Sequence, residues 1–249
     1  MKRTTLLAGF AAVLLAAEGA AADTRYAVEY YTSGDAAVEV ECFAPAAPGR
    51  YPAILLLHGS GGLAQATHCV FRGMAGDIAA KKYNVFMPHF FDATGHEPGR
   101  PFRPEEHGRF SRAIEDAIKF VAARDGVDAD RLGVLGMSMG AMLAFQRAAR
   151  DERVKAVVSL SGSLPLGSRS ELPPTLLLHG SRDPGTPVAI VRKFEDQLRS
   201  GETPVEVKIY PGVAHNFSAG KFPEVGRRSV AFLDRYLKPP SPSTAKKKR

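Results

Sequence analysis

Between residues 24 and 237 short apolar runs alternate with longer segments of helical periodicity. Two runs, at 26–31 and 37–43, alternate apolar with polar residues on either side of Thr32-Ser33-Gly34-Asp35, a pattern that predicts a β-hairpin. The pattern then changes. Ala53-Ile54-Leu55-Leu56-Leu57 is apolar without a break and ends at His58, which is how a strand covered on both faces reads. Similar runs recur at 85–88, 131–135, 154–160, 175–179 and 205–210. Between most of them lie amphipathic segments of helix length, at 66–81, 105–124, 138–150, 187–199 and 222–237. Alternation of this kind predicts an α/β protein: one domain over 23–237, an eight-stranded and mostly parallel sheet including the hairpin, and helices on both faces. One connection departs from the pattern. Residues 161–174 are rich in Ser, Pro and Gly and have room for one helical turn at most, so no large lid domain is expected above the sheet.

The run at 131–135 continues into Gly136-Met137-Ser138-Met139-Gly140, and a helix is expected to follow at once. G-x-S-x-G between a strand and a helix is the arrangement that projects a serine hydroxyl from a sharp turn at the carboxyl edge of a sheet. A serine hydroxyl is a weak nucleophile at neutral pH, so it needs a base, and the base needs an orienting acid. Both are expected in loops after later strands. Asp183 lies just beyond the run at 175–179 and His215 just beyond the run at 205–210, in the chain order Ser138, Asp183, His215 of hydrolase-type sheets. An oxyanion formed at Ser138 would need two fixed donors. The backbone amide of Met139 is one candidate. The loop His58-Gly59-Ser60-Gly61-Gly62 supplies the other, with the Ser60 amide favoured, Gly61 as the neighbouring choice and Gly59 and Gly61 close to substrate. This loop lacks the Gly-Lys-Ser/Thr ending of a phosphate-binding loop.

The segments LLLHGSGG, GVLGMSMGA, LLLHGSRDPGTP and YPGVAHNF, all between residues 51 and 237, resemble the α/β-hydrolase superfamily and, within it, the dienelactone hydrolase-like group. The resemblance implies a Ser138-Asp183-His215 triad and ester hydrolysis through an acyl-enzyme without a cofactor. Two departures are visible: the group carries Cys as its nucleophile where this chain has Ser138, and it places a Glu in the loop where this chain reads His58-Gly59-Ser60. A serine carboxylesterase acting on short or compact esters, small lactones among them, is the expectation. Peptidase and acyltransferase chemistry on the same triad, or a non-catalytic binding protein on this fold, are the alternatives.

Composition is ordinary for a globular protein, 45% hydrophobic and 24% charged against averages of about 45–50% and 25%. The formal net charge of +7 first suggests a nucleic-acid partner. Its distribution removes that reading: residues 1–22 carry +1, residues 238–249 carry +5, and residues 23–237 only +1. Residues 1–22 combine Lys2 and Arg3, an Ala/Leu-rich stretch and small residues ending at Ala22, the signature of a signal peptide cleaved before Asp23. The expectation is an exported protein, periplasmic or secreted, with no stable membrane insertion after cleavage, acting on a small-molecule ester as a monomer or small homo-oligomer. Residues 238–249, with three prolines and four terminal cations, are expected to be a disordered basic tail. Cys42 and Cys69 can form one disulfide or remain separate thiols. In the loop after the run at 85–88, Phe90 or Phe91 could line an acyl pocket and Arg100 or Arg103 could hold a substrate carboxylate. His89, His96 and His107 match no metal-ligand spacing, and no metal or cofactor is expected.

Overall fold

The structure, a computed structural model, describes residues 23–164 and 171–238. The expected signal peptide, almost all of the expected tail and the middle of the 161–174 connection lie outside the described residues. Strands β1 (Thr24–Ser33) and β2 (Ala36–Pro45) form the hairpin, paired from Thr24 with Pro45 to Ser33 with Ala36 around Gly34 at φ 63°. Then follow β3 (Tyr51–Leu57), α1 (Gln65–Ala79), β4 (Asn84–Pro88), α2 (His107–Ala122) and β5 (Val127–Met137). The chain continues through α3 (Met139–Ala148), β6 (Val154–Leu160), β7 (Thr175–Gly180), α4 (Val188–Ser200), β8 (Val205–Tyr210) and α5 (Phe222–Leu237). The eight strands form one sheet in the order β1-β2-β4-β3-β5-β6-β7-β8. β2 runs antiparallel to both β1 and β4, and every neighbouring pair from β4 to β8 is parallel.

Side chains alternate across a strand, so an apolar run serves two layers at once. Leu55 and Leu57 of β3 face a core built with α2, α3 and α4, whereas Ile54 and Leu56 face a core built with α1 and α5. This two-sided cover is why the central strands contain no polar alternation. Polar residues did hide one strand start. β5 begins at Val127 rather than near Arg131, because Val127 and Asp128 pair with Tyr51 and Pro52 before a register shift at Pro52/Ala53. Asp128, Asp130 and Arg131 break the apolar signal in that first part. A 3-10 turn at Phe90–Ala93 was also not evident from the pattern.

One buried carboxylate ties α1 to the sheet. Glu41 of β2 is fully buried and accepts hydrogen bonds from Tyr26, from His68 and Arg72 of α1, and from His89 just after β4. Burial alone would raise its pKa, but these four bonds outweigh that and hold it at about 2. Cys42 and Cys69 are free thiols. Cys42 packs toward the α2 side of the sheet while Cys69 is exposed on α1, which covers the opposite side. Burial pushes the Cys42 thiol up to about 12. Among the described residues no helix is long and apolar enough to cross a membrane.

Phe232 of α5 is 1% exposed in the α1/α5 core. Phe232→Ala is expected to cost about 3–5 kcal/mol in urea unfolding, whereas Tyr30→Ala, at a position 55% exposed, should stay within about 1 kcal/mol. Equal losses for the two variants would contradict this placement of the core.

Candidate active site

β5 ends at Met137 and α3 begins at Met139, leaving Ser138 alone in the turn between them. Its backbone sits at φ 51°, ψ −114°, a region that side-chain-bearing residues rarely occupy and that costs on the order of 1–3 kcal/mol. Surrounding bonds hold it there. The Ser138 amide donates to the Leu160 carbonyl at 2.8 Å, and the Ser138 carbonyl accepts from the amides of Ala141 and Met142 at 3.0 and 3.1 Å. The flanking glycines are required by close approach. A Cβ on Gly140 would lie 2.4 Å from the His58 carbonyl oxygen and 2.5 Å from that of Leu57, and one on Gly136 would lie 2.5 Å from the Gly140 backbone. Only without these atoms can the first turn of α3 press against the end of β3.

Asp183 and His215 enter from the loops after β7 and β8. The Asp183 carboxylate is buried, and its Oδ1 accepts the amides of Gly185 and Thr186 at 2.8 and 2.9 Å. Burial raises its pKa, but the amide bonds and the His215 ring outweigh that and hold it below the usual carboxylate range. Oδ2 meets His215 Nδ1 at 2.7 Å, and His215 Nε2 meets Ser138 Oγ at 2.8 Å. With Nδ1–H donated to the carboxylate, Nε2 presents its lone pair to the serine hydroxyl, an assignment that follows from the bonding network. The two loops are laced together. Arg182 N donates to the Val213 carbonyl at 2.8 Å, Gly212 N to Ser181 Oγ at 2.9 Å, and Ser161 Oγ to the His215 carbonyl at 2.7 Å. His179, at the end of β7, closes the Asp183 turn by bonding the Thr186 carbonyl through Nε2 at 2.7 Å, and burial lowers its pKa.

Ser138 and His215 open onto a cleft of about 460 Å³. Gly59, Ser60 and Gly61 of the loop after β3 line this cleft. Met139 is buried at the first position of α3, where a backbone amide has no partner within its own helix. The expectation for Phe90 and Phe91 is corrected: neither lines the cleft. The 3-10 turn swings both rings into the core, where Phe90 stacks on His58 with ring centroids 4.0 Å apart and Phe91 meets the same ring edge-on at 4.6 Å. Both thus contact His58, and Phe91 also borders the space beside Gly62. The apolar wall comes instead from Phe217, Phe222, Val70 and Phe71, with Ala66 and Thr67 at the mouth of α1. Phe217 stands two residues after His215, so its proximity was legible; the α1 residues carried no such signal. Arg100 and Arg103 are engaged with Glu97 and Glu106 at 2.7 and 2.9 Å. His89, His96 and His107 do not converge; they bond Glu41, Glu106 and Gln146 respectively.

A mostly parallel sheet that delivers a serine on a strained turn after β5, with an aspartate and a histidine from the ends of β7 and β8, defines the α/β-hydrolase fold. Within it the chain belongs to the dienelactone hydrolase family, whose model matches residues 38–231. Carboxymethylenebutenolidase from Rhodococcus opacus is 27% identical over 192 residues, 67% of this chain and 76% of that protein. A protein provisionally named carboxymethylenebutenolidase from Salmonella typhimurium is 29% identical over 116 residues, 42% of this chain; the match spans only 43% of that relative's length. Among solved structures, Thermogutta terrifontis esterase 2 phosphorylated by paraoxon superposes with a TM-score of 0.70 at 19% identity, covering 86% of this chain and 96% of that one.

The buried His58 leads to a pH prediction. Its Nδ1–H donates to the Gly59 carbonyl at 2.9 Å, and complete burial between aromatic rings pulls its pKa from 6.5 to about 3. The folded state therefore stays neutral there while the unfolded chain takes up a proton. The resulting penalty is absent above pH 6.5 and grows by about 1.4 kcal/mol per pH unit below it. Guanidinium unfolding at pH 7.5 and 5.0 should show this loss, and His58→Gln should remove most of it; equal slopes would exclude His58 as the source.

Proposed function

We propose that the protein is a serine hydrolase of carboxylic esters, working through an acyl-enzyme on Ser138. The continuous hydrogen-bonded chain from Ser138 Oγ through His215 to the buried Asp183 carboxylate, opening onto an apolar cleft, carries this reading. In the reaction His215 Nε2 takes the Ser138 proton as Oγ attacks the ester carbonyl. Asp183 keeps the imidazole in the required tautomer and stabilises its protonated form. The amides of Met139 and Ser60 receive the oxyanion, and each such donor is typically worth about 10²–10³ in rate. The alcohol leaves with the proton from His215, and a water activated by the same nitrogen then releases the acid. The buried neighbours His58 and His179 are kept neutral by burial, so His215 is the ring placed to exchange protons with substrate.

The acyl group would lie against Phe217 and Phe222. An open cleft of this volume suits short or compact esters and small lactones rather than long lipid chains. The named activity of the Rhodococcus relative and the organophosphate adduct on the Thermogutta esterase support the same class of chemistry. A fluorophosphonate probe should label the wild-type protein once per chain and fail on Ser138→Ala, with ester turnover falling by on the order of 10⁴- to 10⁶-fold. Labelling that survives Ser138→Ala would sink the assignment. Acetyl and butyryl p-nitrophenyl esters should outpace long-chain ones; the reverse order would refute the compact-substrate reading.

Export belongs to the same proposal: residues 1–22 act as a cleaved signal, and the mature enzyme works in the periplasm or medium on small esters. Mass spectrometry of protein expressed in a Gram-negative host should find Asp23 at the amino terminus. An intact Met1 on the mature protein would contradict this.

A further inference from the structure

Away from the triad, the carboxylate that anchors α1 gathers a second set of chemically competent atoms. Glu41 Oε1, His68 Nε2 and His89 Nε2 converge from β2, from α1 and from the turn after β4, and all lie within 4.8 Å of one another. Nothing in their spacing along the chain signals this, since His68 and His89 stand 27 and 48 residues from Glu41. We propose that Glu41, His68 and His89 form a binding site for a divalent metal ion of the zinc type, which pins α1 to the sheet beside the catalytic cleft.

The surroundings have the organisation of a metal site. The carboxylate is divided by function. Oε1 faces both imidazoles, while Oε2 is held by Tyr26 Oη at 2.8 Å and Arg72 Nε at 2.5 Å. Ligating carboxylates are commonly braced in this way, and ligating histidines commonly turn their second ring nitrogen to an acceptor. His89 Nδ1 lies 3.8 Å from a carboxylate oxygen of Glu39, an acceptor close by but beyond hydrogen-bond distance. Metal–ligand bonds of about 2.0–2.2 Å place tetrahedral ligands about 3.4 Å apart, within the spread these three atoms already show. The protein need only shift side chains by small amounts. Access is available, because the Glu41 side chain is fully buried but those of His68 and His89 are 24% and 20% exposed. Solvent can therefore reach the point of convergence and supply a fourth ligand.

Two imidazoles and one carboxylate select among ions. Mg²⁺ and Ca²⁺ prefer all-oxygen shells, whereas imidazole favours Zn²⁺, Co²⁺, Ni²⁺ or Cu²⁺. Without metal, each histidine donates Nε2–H to Oε1. Coordination uses the Nε2 lone pair, so on binding the proton that each Nε2 shares with Oε1 must move to Nδ1 or leave. None of the three ligands lines the cleft, although Ala66 and Thr67 of the same helix do. The ion would thus act on the position of the cleft wall and not on the reacting bond.

The test uses full-length mature protein without a histidine tag, stripped with EDTA and titrated with ZnCl₂ by calorimetry and by metal analysis after gel filtration. One zinc per chain and a rise in Tm of several degrees are expected. His68→Gln and His89→Gln should each weaken binding at least tenfold and abolish the Tm rise, with circular dichroism confirming that they fold. Co²⁺ should give the visible absorption of a four-coordinate site. If a variant fails to fold, zinc-induced shifts of the histidine ring resonances in the wild-type protein serve instead. Absence of saturable zinc binding, binding retained by the double variant, or shifts confined to His215 would overturn the proposal.

Discussion

The architecture of the site depends on one close approach, the first turn of α3 pressed against the carboxyl end of β3. The carbonyl oxygens of Leu57 and His58 leave no room for a Cβ at Gly140, and the Gly140 backbone leaves none at Gly136. Because the helix starts so near the strand, the residue between β5 and α3 is forced to a positive φ, and its side chain is driven out above the sheet edge. The same contact brings the loop after β3 against the turn, where a Cβ on Gly59 would lie 3.4 Å from Ser138 Cβ. Strain at Ser138 is thus maintained by the packing of two of the most buried elements in the molecule, which is the condition under which strained backbone persists.

Around that turn, burial sorts the titratable groups. Desolvation disfavours the charged form, and hydrogen bonds decide whether it survives. Asp183 and Glu41 are both buried carboxylates that remain anionic because amides, imidazoles or a guanidinium satisfy them. His58 and His179 are buried rings that bond the backbone carbonyls of Gly59 and Thr186, and burial pulls both toward neutrality, although His179 Nε2 also lies 3.5 Å from Asp183 Oδ2. His58 therefore serves as a packing surface, with Phe90 stacked on its ring and Phe91 meeting it edge-on, while His179 braces the turn that holds Asp183.

Helix α1 joins the two polar centres. It contributes Ala66, Thr67, Val70 and Phe71 to the cleft, while His68 and Arg72, interleaved with them, grip Glu41. The chain lacks the glutamate that its family relatives are expected to place in the loop after β3, and carries the fully buried Glu41 on β2. There the carboxylate holds α1 through His68 and Arg72.

The fold and the convergence of Ser138, Asp183 and His215 were legible in the residue pattern because each rests on local or nearly local rules. Continuous apolar runs mark strands covered on both faces, G-x-S-x-G marks a strand-to-helix turn, and Asp183 and His215 follow directly on strand ends. The sequence by itself therefore determined the order of elements, the sidedness of the core and the convergence of Ser138, Asp183 and His215 at one sheet edge. What it could not determine was decided by contacts between segments far apart in the chain. Pairing with β3 extended β5 through polar residues, a 3-10 turn buried Phe90 and Phe91 that seemed free to face substrate, and the opposite placement of α1 and Cys42 about the sheet kept the two thiols apart. Glu41, His68 and His89 met for the same reason. Periodicity records which face of its own element a side chain takes, but only the packing of elements decides which other side chains it will meet there.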